Sequence, residues 1–241
     1  MLHRFAKALV ALTPFKVTRN RPNRFDAVED FLRHLNATGY QPRIVIDGGA
    51  HLGWFARLAR EAFPEAAIHM VEPQPACAPH LRKLLNGSGM FFHPVALTSE
   101  RRNVRMVCDE HGDTGAYVAN SADARANIDV QGDTLDNLFS ARIARSDRAF
   151  LKLDLQGHEL AALRGGQMLL GSLELVLTEF SFFQQLDEAN VPDIVRFFDE
   201  AGFDLFDVVS ISQRQRDGRA KHGDLVFVRK GSPLWLDRAW E

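Results

Sequence analysis

Asp47 closes a run of three apolar β-formers, Ile44, Val45 and Ile46, and is followed at once by Gly48, Gly49, Ala50 and, three residues later, Gly53. An acid at a strand tip ahead of a glycine-rich turn is an electrostatic selector. It repels a pyrophosphate and attracts the ammonium of an amino-acid moiety. Glycines allow positive φ and close approach of a ligand to the main chain, and the helix start that follows offers amide donors. The spacing is not Gly-x-Gly-x-x-Gly, because Ala50 and Leu52 stand in the wrong places, so the dinucleotide fingerprint is excluded. A sulfonium nucleoside with an amino-acid tail, S-adenosylmethionine, fits better than NAD. Glu72 ends the next apolar run about 20 residues on, where an acid can accept from ribose hydroxyls.

A second chemical cluster lies in residues 150–159, Phe-Leu-Lys-Leu-Asp-Leu-Gln-Gly-His-Glu. Its two-residue period puts Leu151, Leu153 and Leu155 on one face and Lys152, Asp154 and Gln156 on the other. In a central strand covered on both faces, the polar row must be paired or lie at the strand tip. Lys152 is then a buried cation neutralised by Asp154, Asp133 or Glu179. Asp154 and Glu179, at neighbouring strand tips, can hold a divalent cation or remove a proton from a hydroxyl. His158 is a further candidate base, and Glu159 satisfies the start of its helix.

These groups need a frame, and the apolar periodicity supplies one. A helix over 26–35 precedes a first core strand at 43–47 and its helix at 53–62. Strand 67–72, helix 76–86 and strand 90–97 follow. Strands 103–108 and 127–130 flank a polar stretch, 109–126, read as a mobile loop. A short helix at 134–139, capped by Asp133, leads to strand 149–155, helix 158–170, strand 173–179 and helix 192–201. The last two strands, 204–212 and 225–229, lack an intervening helix, so one strand is antiparallel, at the sheet edge. The expected fold class is α/β, Rossmann-like, with a mostly parallel sheet between helical layers.

At 241 residues with 46% hydrophobic content, the chain supports one substantial core. A basic extension, 1–24, with Arg4, Lys7, Lys16, Arg19, Arg21 and Arg24 and no acid, precedes a single domain over 25–241. Leu2, Phe5, Leu9 and Leu12 give residues 2–12 the pattern of a basic amphipathic helix, docked on its own domain or on an anionic membrane surface. The net charge of −2 gives no global case for nucleic-acid binding. Cys77 and Cys108 lack metal-type spacing and suit a reducing compartment. The expectation is a cytoplasmic protein, with peripheral contact at the inner membrane surface as the variant reading.

In this order, Val-Ile-Asp-Gly-Gly-Ala-His-Leu-Gly (45–53), Val-Glu-Pro (71–73), Val-Ala-Leu-Thr (95–98), Asp-Thr-Leu-Asp (133–136) and Leu-Lys-Leu-Asp-Leu-Gln-Gly-His-Glu (151–159) resemble the FkbM-type methyltransferases. The resemblance runs from about residue 42 to 230. Gly48 departs from the pattern where an apolar residue is usual, and Gln156 where an acid is frequent, which removes a carboxylate ligand at 156. The resemblance implies a seven-stranded class I fold and O-methylation of a sugar, glycolipid or polyketide-like hydroxyl. By the same resemblance, Asp47 and Gly49, in the turn with Gly48, Ala50 and Gly53, hold the methionine end and Glu72 the ribose. Val95 and Ala96 flank the adenine, and Asp154 and Glu179 face the acceptor. The rival readings are a non-catalytic module that binds the same cofactor and a membrane-associated partner protein.

Overall fold

The computed structural model describes residues 24–87, 89–109, 112, 114–183 and 190–235. The amphipathic pattern at 2–12 therefore lies outside the described residues. Helix α1 (Arg24–Ala37) buries Val28, Phe31, Leu32 and Leu35, one stripe at helical spacing. Phe25 does not join that stripe: it is half exposed and meets Trp54 edge-on, with ring centroids 4.7 Å apart.

Strand β1 (Ile44–Gly48) pairs in parallel with β2 (Ala67–Val71) on one side and with β8 (Ala149–Leu153) on the other. Beyond β2 lies β3 (Met90–His93); beyond β8 lies β9 (Leu173–Ser181), then β11 (Ala220–Arg229) and β10 (Phe203–Gln213). The sheet is seven-stranded, and β11 alone runs opposite to the other six strands. The sequence put the antiparallel strand at the edge. It sits one position inside, because β10 takes the edge first and the chain returns through the polar turn as β11, between β10 and β9.

Alternate residues serve opposite faces. Val45 and Phe150 join the cluster of α1 and α2 (Trp54–Ala62), whereas Ile46, Leu151 and Leu153 join the cluster of Phe139, Leu163 and Phe198. The second layer holds α4 (Glu159–Arg164), α5 (Gln167–Leu170) and α6 (Val191–Glu200). The expected helix 158–170 is thus two helices. A Cβ on Gly165 would stand 2.2 Å from the Thr98 carbonyl, and the chain bends around that contact. Helix α3 (Ala78–Arg82) is shorter than expected.

The expected strand 90–97 is also divided, and its second part, β4 (Ala96–Leu97), belongs to a small sheet with β7 (Ile128–Asp133), β5 (Asn103–Val107) and β6 (Tyr117–Val118). Strand β6 lies within the stretch read as a loop: Tyr117 pairs with Val107 and its hydroxyl donates to Asp123 at 2.7 Å. The expected helix at 134–139 is one π-type turn, Asp136–Ser140, and its cap is Thr134, whose hydroxyl accepts from the Asn137 amide; Asp133 instead receives the Asn137 side chain.

Candidate active site

The chain runs from β1 to β2 in one direction and from β8 to β9 in the other, so a crevice opens at the carboxyl ends of β1 and β8. A cavity of about 780 Å³ lies there, within the range of small-molecule and cofactor sites. Its walls are residues 49–52, 72–74 and 95–97 on one side and residues 154–156, His158, Glu179, His222, Asp224 and Arg24 on the other.

The first wall is fixed by its own backbone. The Gly49 and Ala50 amides both donate to the Val71 carbonyl, at 2.9 and 3.1 Å, which ties the turn to β2. Glu72 is 3% exposed; its carboxylate accepts from the His51 amide at 2.8 Å and the Gln74 amide at 2.9 Å. Burial raises its pKa against the pull of those amides. Gly49 adopts φ +74°, and a Cβ there would lie 1.9 Å from the Asp154 carbonyl oxygen. The glycine therefore lets two turns touch, which is a different reason from ligand approach.

Asp47 and Lys152 stand opposite each other in the β1–β8 register. Lys152 Nζ donates to Asp47 Oδ1 at 3.0 Å and to the Gly48 and Gly49 carbonyls at 3.2 and 2.9 Å. Lys152 is the buried cation the sequence requires, but its partner is Asp47 rather than Asp154, Asp133 or Glu179. Burial works against its charge, yet Asp47 and Asp154 outweigh burial and raise its pKa. Burial likewise pushes Asp47 up, with Lys152 pulling it back. Asp47 is fully buried and its Oδ2 has no hydrogen bond among the described residues. Asp47, Gly48 and Gly53 do not line the cavity, whereas Gly49, Ala50, Glu72, Val95, Ala96, Asp154, His158 and Glu179 do.

The second wall is an acid box closed by one arginine. Arg24, the first residue of α1, reaches Asp154 at 3.0 Å, Glu179 at 2.9 Å and Asp224 at 2.7 Å. Gln156 bridges the other oxygens, donating to Asp154 Oδ1 at 2.8 Å and Glu179 Oε2 at 3.1 Å. His222 Nδ1 lies 3.0 Å from Glu179 Oε1. Burial would raise the Asp154 pKa, but the Arg24 and Lys152 cations win and hold it well below the usual carboxylate range. Glu179 is pushed up to about 7 by burial and by Asp154, and Glu159 to about 8 by burial and by Glu179. Burial, then Arg102, lowers His158.

The metal expectation does not suit this donor set. Arg24 occupies the oxygens of Asp154 and Glu179 that would face an ion. Among the described residues, no group of three or more His, Cys, Asp and Glu side chains is arranged to hold one.

Sequence reasoning missed Arg24, His222 and Asp224. By its sequence context Arg24 falls in the basic extension. His222 and Asp224 lie ahead of the expected strand 225–229, but β11 starts at Ala220 and contains both, and its antiparallel direction brings them to the end of the sheet where Glu179 sits. Asp224 and Glu179 are register partners.

A central parallel sheet in order β3-β2-β1-β8-β9-β11-β10, one reversed strand and a cavity at the β1 turn define a Rossmann-like class I methyltransferase fold. Magnesium protoporphyrin IX methyltransferase from Synechocystis PCC 6803, solved with bound SAM, is similar at a TM-score of 0.50 and 11% identity, covering 88% of this chain and 86% of that one. A 1,6-didemethyltoxoflavin-N1-methyltransferase from Burkholderia thailandensis is similar at a TM-score of 0.44 and 13% identity, over 90% of this chain and 94% of that one. No curated protein matches the chain in sequence. The profile of the methyltransferase FkbM domain matches residues 47–205, and the chain belongs to that family. It is accordingly an S-adenosylmethionine-dependent methyltransferase.

Proposed function

We propose that this protein methylates a hydroxyl group of a sugar, glycolipid or polyketide-like small molecule. The observation that carries this reading is the composition of the cavity, where a wall ending in Glu72 faces an acid box rich in hydrogen-bond acceptors. Glu72 keeps acceptor capacity beyond the two amides that hold it, which fits a ribose diol. Val95 and Ala96 supply an apolar contact for a flat base. Gly49, Ala50 and Leu52 line the place for an amino-acid tail, whereas Asp47 lies behind them with its charge met by Lys152.

S-adenosylmethionine supplies an electrophilic methyl on a sulfonium. Its positive charge disperses as the methyl leaves, so positioning of the hydroxyl contributes most of the rate. Asp154 and Glu179, held by Arg24 and Gln156, orient the acceptor, and a cavity base takes its proton. His158 and His222 both line the cavity as candidate bases.

The test is incubation of the protein with methyl-labelled S-adenosylmethionine and an extract of the host cells, with and without chelator. The expected product is a small hydroxylated molecule that acquires label at oxygen whether or not chelator is present. Label in RNA or on nitrogen would overturn the acceptor class. The five cations ahead of Arg24 (Arg4, Lys7, Lys16, Arg19 and Arg21) support peripheral contact with an anionic membrane, and the same preparation tests this by pelleting with anionic vesicles. Equal pelleting of the full chain and of a chain lacking residues 1–23 removes the membrane reading. That truncation leaves Arg24 in place. No helix among the described residues is long and apolar enough to cross a membrane.

A further inference from the structure

Of the groups on the acceptor wall, both carboxylates at the strand tips are already committed. Asp154 spends one oxygen on Arg24 and the other on Gln156. Glu179 spends Oε1 on Arg24 and His222, and Oε2 on Gln156. Asp154 is a weak proton acceptor, because the Arg24 and Lys152 cations hold it ionised; Glu179 holds a proton more readily, but both its oxygens are already engaged within the box. His222 differs. Its Nδ1 faces Glu179 Oε1 at 3.0 Å, its ring lines the cavity, and its Nε2 has no partner among the described residues. A carboxylate beside Nδ1 selects the tautomer with the proton on Nδ1, leaving the Nε2 lone pair free.

We infer that His222 is the general base of the methyl transfer, with Glu179 as its orienting partner and Arg24 as the cation that positions Glu179. This deepens the O-methylation reading and rests on it. His222 and Arg24 both lie outside residues 47–205, so the base and its support come from segments beyond the family match.

In the step, Nε2 takes the hydroxyl proton while the acceptor oxygen forms its bond to the methyl carbon. The electron pair of the broken carbon–sulfur bond stays on sulfur, which leaves as a neutral thioether. The imidazolium is balanced by Glu179 and later loses its proton to solvent. The charged groups around His222 are Glu179 from β9, Asp154 just past the end of β8, Arg24 from α1 and Asp224 two residues along its own strand. His158 also lines the cavity, but no carboxylate orients its ring among the described residues.

The experiment compares wild type, His222→Gln, His222→Ala and His158→Gln, using methyl-labelled S-adenosylmethionine with the small-molecule fraction of a host extract. The expected result is a loss of about 10²–10⁴-fold in turnover for both His222 variants, the range for a positioned base. S-adenosylhomocysteine binding by calorimetry stays within about three-fold, which also certifies that the variants fold. Added imidazole restores part of the rate to His222→Ala. His222→Gln with at least a third of wild-type turnover overturns the assignment, as does a low-activity His222→Ala that imidazole does not rescue. If the wild-type protein transfers label to nothing in the fraction, the O-methylation reading falls and takes the base with it. If wild type transfers label and His222→Gln does so equally, only the base falls.

Discussion

Lys152 and Asp47 form the pair on which the floor of the site depends, and each is tolerable only because the other is there. Removing one partner of a buried ion pair leaves an uncompensated charge, which costs about 3–5 kcal/mol, whereas replacing both with apolar groups is often neutral. Asp47→Asn is expected to lose about 3 kcal/mol by urea unfolding, because Lys152 keeps only the Gly48 and Gly49 carbonyls. The double variant Asp47→Leu with Lys152→Met should recover most of that stability. Additive losses in the double variant would show that the pair is not coupled. Both residues were legible in the sequence as unusual, an acid at a strand tip and a lysine within a leucine-rich strand. That they neutralise each other was not legible, since residues 105 positions apart meet only through the β1–β8 register.

Among the elements, the turn between β1 and α2 carries the greatest constraint. Its strand, glycines and helix were readable from the change of apolar period, and the positive φ of Gly49 agrees with a residue chosen for backbone freedom. The reason for the missing side chain was not readable, because the atom it avoids belongs to Asp154 on another element. A non-glycine residue in the left-handed region costs about 1–3 kcal/mol by itself. Gly39 has φ +81° with nothing within 4 Å of a built Cβ, so Gly39→Ala bears only that conformational cost. Gly49→Ala bears it together with displacement of the β8 turn. It should lose at least about 2 kcal/mol more than Gly39→Ala in thermal or urea unfolding, and S-adenosylhomocysteine binding should weaken. Equal losses in the two variants would contradict the packed-turn account. The same limit explains the broken helix at Gly165 and the divided strand at 90–97: local pattern marks an apolar run, and contact with distant chain decides where it bends.

Across the whole molecule, the buried acids set how stability depends on pH. Glu159 has a folded-state pKa of about 8, raised from 4.5 by burial and by Glu179. Below pH 4.5 folded and unfolded chains are both protonated there, and the group has no effect on stability. Between about 4.5 and 8 the unfolded chain loses the proton first, so the unfolded state binds fewer protons and stability falls as pH rises. Each tenfold change in acidity is worth about 1.4 kcal/mol. Glu159→Gln keeps an oxygen to accept from the Leu155 amide and removes the titration. Its melting temperature should fall less than that of wild type between pH 5 and pH 8, and a parallel fall in both would refute the buried-acid account. The chain by itself determined the α/β class, the order of its elements and the identity of most cavity acids, because apolar period and strand-tip position are local properties. Tertiary structure alone decided that Asp47 belongs to Lys152, that Arg24 closes the acid box and that His222 stands beside Glu179. Those pairings join residues on different strands or helices, and strand direction and register are set by the packing of the whole sheet.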